Sequence, residues 1–304
     1  MPPQASLPSK ILVAVDAEGM SDHAARAALR LARAFEAKLE FLHASAPHAL
    51  LEMYWPDSRV DEKRVREMAL AKKHLTQHLS ELLSDLPQGP KSAADALRVV
   101  PGKATKTLLA RVREMPADLL VLGASRRRAI LDFGSTARSV LAKAECPVWI
   151  QSGPSADIRK ILVPLDLSDE SLLALSFART IAPRLSARIQ AYHAYDLPAI
   201  ATVPWDASAM IPDFETMRRA SKKAFEDALA AFDWQGIEHD ATFVDGHPSE
   251  SILEAARSAD LVVMGTHGRT GFASTVLGSV AQQVARHAQV PVVVVRKHDR
   301  VFEA

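Results

Sequence analysis

Short apolar runs alternate along the chain with longer segments whose apolar residues recur every three or four positions. Runs such as ILVAV at 11–15, LLVLG at 119–123 and LVVMG at 261–265 have no polar face. Strands that are apolar on both sides are typical of parallel sheets covered by helices on each face. The alternation of such strands with helical segments predicts an α/β fold.

A helix is predicted directly after the run that ends at Asp166. Ser168 offers an N-cap, and the acidic residues Asp169 and Glu170 suit the positive end of a helix dipole. Five residues then follow at the spacing of one buried helix face: Leu172, Leu175, Ala178, Ile181 and Leu185.

The chain repeats itself. KILVAVD at 10–16 returns as KILVPLD at 160–166, and ADLLVLG at 117–123 returns as ADLVVMG at 259–265. Collinear self-similarity of this kind indicates a duplicated unit, and a small deletion inside the second copy explains the changed offset. The polar segment QSGPSADIR at 151–159 is typical of a linker.

We therefore expect two tandem doubly wound α/β domains, residues 1–152 and 153–304, each with helices on both faces of its sheet. The net charge of +1 gives no general attraction to nucleic acid or to membranes. The chain has one cysteine, no apolar core near its N-terminus and no uncharged apolar run long enough to span a bilayer. These features favour a cytoplasmic protein that contacts neither nucleic acid nor membrane.

Glycines cluster where a strand passes into a helix in the second copy, in MGTHGRTGFASTVLGS at 264–279. Gly265, Gly268 and Gly278 let the backbone approach an anion closely, and Ser279 adds a hydroxyl donor at a helix N-terminus. The cluster predicts phosphate binding. The alternative is that Gly265 makes a tight turn and Ser279 caps a helix.

The pattern G-x-x-G, nine residues, then G-S resembles the nucleotide-binding signature of the ATP-binding branch of universal stress proteins. The resemblance extends over nearly the whole chain. It implies five parallel strands in the order 3-2-1-4-5 in each domain, and pairing of the two halves through their last strands. It also implies ATP as the ligand, and leaves open whether Mg²⁺ accompanies it.

The resemblance assigns roles by position in the second domain. Asp166 would meet the ribose, Pro164 and Ala194 would lie near the adenine and ribose, and Val244 would offer backbone contacts to the adenine. The phosphate side comprises Gly265, Thr266, His267, Gly268, Gly278, Ser279 and Val280, with Thr266 and His267 giving backbone N–H groups. Two alternatives stay open: Asp166 as a turn residue that caps the next segment, and His267 as an exposed loop residue.

The first copy departs from the pattern. Its loop from Gly123 to Gly134 is two residues shorter, and Arg126 replaces the second glycine. A long side chain there is incompatible with the same cradle, so one nucleotide per chain is expected, in the second domain. The run 126–128 is either a separate anion site or a solvated face.

The favoured function is an ATP-binding regulatory protein of the stress response with an unknown protein partner. One alternative is a scaffold that binds no nucleotide and acts through loops containing Trp55 and Trp205. Another is an ATPase, whose hydrolysis would be slow because the chain has no P-loop lysine. Further pairing of two chains into a homodimer is also open.

Two pairs of histidines are candidates for a chemical role. His74 and His78, four residues apart on a predicted helix, allow either a shared metal or an ordinary helix surface. His43 and His193 end equivalent strands and are predicted to be structural residues with satisfied hydrogen bonds rather than proton carriers.

Overall fold

The computed structural model describes residues 4–45, 59–86, 95–124, 135–154, 156–196, 214–266 and 277–302. Within these ranges ten strands form one sheet, ordered β3-β2-β1-β4-β5-β10-β9-β6-β7-β8. The strands are β1 Lys10–Ala14, β2 Lys38–Ser45, β3 Leu97–Pro101, β4 Leu119–Gly123, β5 Val148–Gln151, β6 Lys160–Pro164, β7 Arg188–Tyr195, β8 His239–Asp245, β9 Leu261–Gly265 and β10 Val292–Val295.

The sheet confirms the predicted strand order. Each half reads 3-2-1-4-5 from its outer edge, with parallel pairing between neighbours. The halves meet where β10 runs antiparallel to β5, with Val293 opposite Trp149. The predicted pairing through the last strand of each half is thereby confirmed.

Helices cover both faces of the sheet, as predicted for a doubly wound fold. Those in the described ranges are α1 Asp22–Ala34, α2 Arg59–Leu82, α3 Ala104–Glu114, α4 Ser135–Lys143, α5 Asp169–Leu185, α6 Phe214–Ala230, α7 Pro248–Ala256 and α8 Ser279–His287. Successive residues of a strand point to opposite faces of the sheet and so pack in different cores. Ile11 and Val13 pack with α1, whereas Leu12 packs with α3. None of these helices is both long and apolar enough to cross a membrane.

Helix α5 begins as its sequence predicts. The Ser168 hydroxyl accepts a hydrogen bond from the Ser171 N–H and so caps the helix. Leu175, Ala178 and Ile181 are buried as predicted. Leu172 and Leu185 are only partly buried: Leu173 and Phe177 face the sheet instead of Leu172, and Leu185 lies in the last turn.

The first half also contacts the second through its N-terminal segment. The Ala5 N–H donates to the Ser176 hydroxyl, and the Ala5 carbonyl accepts from Thr180, both on α5. The Ser6 N–H donates to the carbonyl of Val301. Each of the two cores contains buried residues from both halves, so the chain does not divide into two separately packed interiors.

Candidate functional site

Asp166 lies just beyond β6, which ends at Pro164, at the point where α5 approaches the sheet. Its Oδ1 accepts hydrogen bonds from the Ser168 backbone N–H at 3.0 Å and from the Ser168 hydroxyl at 2.6 Å. The carboxylate therefore orders the turn before α5, as the alternative interpretation predicted. In the first half, Asp16 Oδ1 likewise accepts from the N–H groups of Glu18 and Met20.

A cavity of about 280 Å³ lies beside this turn. It is bounded by the ends of β6, β7 and β9 and by the first turns of α7 and α8. Eight of the eleven residues predicted to bind nucleotide contribute to its wall: Pro164, Asp166, Ala194, Gly265, Thr266, Gly278, Ser279 and Val280. His267 and Gly268 lie outside the described residues.

Val244 is the remaining predicted residue and lies elsewhere. It pairs in register with Ala194 but is not among the residues that line the cavity. Nearby, Gly246 has φ +149°, and a Cβ there would lie 2.8 Å from the Ser251 hydroxyl. The turn from β8 into α7 therefore requires glycine at 246, whereas the predicted contact of Val244 with the adenine remains a prediction.

A histidine holds the strand end that precedes Asp166. His193 Nδ1 donates to the Leu165 carbonyl at 2.6 Å, and its Nε2 lies 3.2 Å from the Ser221 hydroxyl of α6. A carbonyl can only accept, so Nδ1 carries a proton. His43 Nδ1 makes the same bond to Val15, at 3.0 Å. Both histidines are structural, as predicted.

Gly265 has a packing role that the sequence interpretation missed. A Cβ at this position would lie 2.9 Å from both the carbonyl carbon and the Cβ of Glu170. At Gly123, its counterpart, the nearest atom would be the Met20 carbonyl oxygen at 3.1 Å. In each half, the glycine that ends this strand allows the start of the half's first helix, α1 or α5, to approach the sheet closely.

The predicted role of the Thr266 N–H is wrong. This group donates to the carbonyl of Val295 at 3.1 Å, so it is already used in the sheet and is not directed at a phosphate. The carbonyl of Thr266 accepts from the Gly278 N–H at 2.8 Å. Thr266 thus joins β9, β10 and the start of α8, and it contributes to the cavity as part of its wall.

Helix α8 directs its N-terminus to the cavity. Gly278 is the N-cap, and its carbonyl accepts the first intrahelical bond, from the Gln282 N–H at 2.9 Å. The N–H groups of Ser279, Val280 and Ala281 come before Gln282 in the helix, so they have no intrahelical acceptor. All three residues line the cavity. Of the described lining residues, Asp166 alone is charged, so an anion here would be held by backbone N–H groups and the helix dipole.

Tyr192 is a site residue that sequence reasoning missed. It lines the cavity, and its hydroxyl donates to the Ser251 carbonyl at 3.2 Å. Burial raises the pKa of the phenol, and the bond to Ser251 opposes this shift. The aligned repeats carried a signal, because Leu42 stands at the equivalent position of the first half.

Other predicted features have different outcomes. Three features lie outside the described residues: Trp55, Trp205 and the run 126–128. That the glycine loops of the two halves differ in nucleotide binding therefore stays a prediction. His78 Nε2 lies 2.7 Å from Asp22 Oδ1, which ties α2 to α1. No group of three potential metal ligands occurs among the described side chains.

Comparison with known proteins places the chain in a family. The model of the universal stress protein family matches it twice, over residues 8–151 and 157–296. The chain therefore belongs to the universal stress protein family and carries two copies of its unit.

Several relatives support this assignment. A universal stress protein of Mycolicibacterium smegmatis is 28% identical over 300 residues, covering 94% of this chain and 96% of its own length. A Methanocaldococcus jannaschii member is 33% identical over 141 residues, covering 46% of this chain and 82% of its own. The crystal structure of an Archaeoglobus fulgidus member matches the fold, with a TM-score of 0.63 and 19% identity over 95% of this chain and 98% of that one.

Proposed function

We propose that the second half of the chain binds ATP in the cavity beside Asp166, and that the protein acts in the cytoplasm as a nucleotide-dependent regulator of the stress response. The observation that carries this proposal is the meeting of the α8 N-terminus with a cavity whose wall includes Ala194 and Asp166. The helix N-terminus suits phosphate groups, and the mostly apolar remainder suits a nucleoside.

The parts of the nucleotide can be assigned to parts of the wall. Phosphates would meet the N–H groups and hydroxyl at the start of α8, since these are the donors at the end of the helix with positive potential. The ribose hydroxyls would donate to Asp166, whose orientation is fixed by Ser168. Tyr192 and Ile252 would pack on the base or sugar.

Filling the cavity tests this proposal. Ala194→Trp should abolish ATP binding measured by isothermal titration calorimetry, because an indole would occupy the space of the nucleoside. Ala44→Trp is the matched control, since Ala44 stands opposite Val100 in β3 as Ala194 stands opposite Val244. ATP binding that survives Ala194→Trp in a folded protein would contradict the assignment of this cavity.

The same calorimetry separates the rival functions. A scaffold without nucleotide binding predicts no heat with ATP, AMP or cyclic AMP. An ATPase predicts release of phosphate after binding, which a phosphate assay on the same sample detects. We expect binding without appreciable turnover, because the described wall has Asp166 as its one charged group and Asp166 already orders the turn to α5.

A further inference from the structure

The segment after β10, residues 296–302 and termed the clasp segment here, leaves the second half and lies on the first. The Arg300 N–H donates to the Glu145 carbonyl at 3.2 Å, and its guanidinium pairs with the Glu145 carboxylate at 3.1 Å. Val301 is fully buried, and its carbonyl accepts from the Ser6 N–H at 2.6 Å. The clasp segment therefore ties the end of the second half to the connection between α4 and β5 and to the N-terminal segment.

The clasp segment lies next to Cys146. Arg296 Nη1 donates to the Ala144 carbonyl at 3.5 Å, and Arg300 contacts Glu145, so both residues before the cysteine are held by this segment. The thiol is buried. Burial raises its pKa well above the usual value, and the neighbouring Asp299 raises it further. Cys146 is the one cysteine of the chain, so its reactivity can report whether the clasp segment is in place.

Asp299 lies at the centre of the clasp segment and is fully buried. Its Oδ2 accepts from the Arg296 N–H at 2.7 Å. Its Oδ1 and the Nη2 of Arg296 are both buried without a hydrogen-bond partner in the described part of the chain, so the carboxyl group and the guanidinium do not bond to each other there. A buried carboxylate with so few donors is costly in its ionised form.

Most of the charged groups around Asp299 are engaged elsewhere. Arg300 and Arg113 both pair with Glu145, and Lys297 pairs with Asp169 of α5 at 3.1 Å. The N-terminal segment contacts the clasp segment through Ser6, which is uncharged. The charged and titratable groups nearby are Arg296, Lys297, His298 and Arg300 of the clasp segment, Glu145 and Cys146 before β5, Arg113 of α3, and Asp118 before β4. Of these Arg296 opposes ionisation of Asp299 least, since its charge favours the carboxylate, yet burial outweighs it and raises the pKa of Asp299 to about 8.

We propose that the clasp segment is a pH-sensitive latch between the two halves, which stays on the first half while Asp299 is protonated and opens more often as the pH rises, exposing Cys146. Opening is favoured because it lets the Asp299 carboxyl group ionise in water. No residue of the clasp segment lines the cavity beside Asp166, so this proposal does not rest on nucleotide binding.

The pH range follows from the two states of Asp299. In the open segment its pKa should return to about 4, the value for an aspartate in water. Between about pH 4 and pH 8, opening then releases one proton, so the open fraction rises by up to about tenfold per pH unit. Above about pH 8 Asp299 is ionised in both states, and the open fraction is constant.

The labelling rate of Cys146 by dithiodipyridine tests this latch in the full chain without nucleotide. Rates are measured from about pH 5 to pH 9 and divided into the rate for the urea-unfolded chain at the same pH, which removes the pH dependence of the thiol itself. The resulting protection of Cys146 should fall as the pH rises to about 8 and then level off. Asp299→Asn should remove the fall, because an amide does not titrate.

Asp169→Asn is the matched control, because Asp169 also contacts the clasp segment, through Lys297, but is exposed. It should keep the pH profile of the native chain. Arg300→Gln provides a second variant in case Asp299→Asn does not fold. It should speed labelling about two- to fivefold at every pH, the usual range for losing a partly exposed ion pair.

The proposal is overturned if the protection of Cys146 does not change with pH, or if it changes equally in the native chain and in Asp299→Asn. Low concentrations of urea supply a further check. Opening of a short segment exposes little surface, so labelling should depend on urea much less than global unfolding does. Labelling with the same urea dependence as global unfolding would show that the clasp segment does not open by itself, and would also overturn the proposal.

Discussion

At the scale of single residues, Gly265 shows that a glycine of the predicted nucleotide-binding motif also has a packing role. Its missing side chain leaves room for the backbone of Glu170 at the start of α5. That contact brings Asp166 and the end of β9 to the same cavity. The proposed phosphate binding and the close packing therefore require the same residue, glycine, at this position.

Gly265→Ala should lower the free energy of unfolding by about 1–3 kcal/mol, the usual cost of overpacking a close contact. Urea denaturation measures this loss. Gly123→Ala should cost less, because its nearest neighbour would be a carbonyl oxygen at 3.1 Å and not backbone and Cβ carbons at 2.9 Å. A Gly265→Ala protein as stable as the native chain would contradict this packing role.

The buried carboxyl group of Asp299 should make the free energy of unfolding depend on pH. Burial raises its pKa to about 8, although the Arg296 N–H donates to its Oδ2 and the charge of Arg296 opposes the shift. Between about pH 4 and pH 8 the folded protein holds a proton that the unfolded chain releases. The contribution of Asp299 to stability is therefore complete below about pH 4, falls as the pH rises to about 8, and is constant above that.

Asp299→Asn should remove this decline, because an amide does not titrate. Thermal unfolding from pH 4 to pH 9 measures the difference, which is at most about 1.4 kcal/mol per pH unit. Parallel pH profiles for the two proteins would show that Asp299 is ionised in the folded state.

At the scale of elements, the turn from β6 into α5 joins stability to the site. Ser168 accepts from the Ser171 N–H and donates to Asp166, so one hydroxyl both caps α5 and orients the carboxylate. His193 fixes the preceding carbonyl of Leu165. The position of Asp166 thus depends on bonds from two neighbouring elements.

Ser168→Ala should lower the free energy of unfolding by about 0.5–2 kcal/mol through the lost cap. It should also weaken ATP binding, because Asp166 loses the hydroxyl donor and is then oriented by Ser168 through the backbone N–H alone. Chemical denaturation and calorimetry measure the two effects. Ser168→Thr keeps a hydroxyl and should retain most of both properties; if it is as impaired as Ser168→Ala, the hydroxyl is not the cause.

The sequence predicts those parts of the fold that depend on local patterns. The repeated apolar runs and the cap at Ser168 are encoded within a few residues, and the strand order followed from the family signature. The partner of the Thr266 N–H could not be predicted in this way, because Val295 is distant in sequence and becomes a neighbour only when β10 pairs with β9. Tyr192 was missed because its position within a buried strand does not reveal that it faces a cavity.

At the scale of the whole molecule, the two halves share one sheet and both of its cores. The antiparallel pair of β5 and β10 buries Trp149 against the second half, and the segment at Ala5 reaches α5. Two copies that contribute to a common core should lose their structure together.

Scanning calorimetry should therefore show a single cooperative transition for the full chain. Trp149→Ala should move that transition to lower temperature without splitting it, because the core at the interface supports both halves. Two separate transitions in the native protein would contradict the shared core.

The most direct test of the account is the stoichiometry of ATP binding to nucleotide-free full-length protein by isothermal titration calorimetry. We predict one ATP per chain, lost in Gly268→Arg, which copies the first half at this position, while the fold is retained. No binding, or two equivalent sites per chain, would contradict the assignment of one nucleotide to the second half.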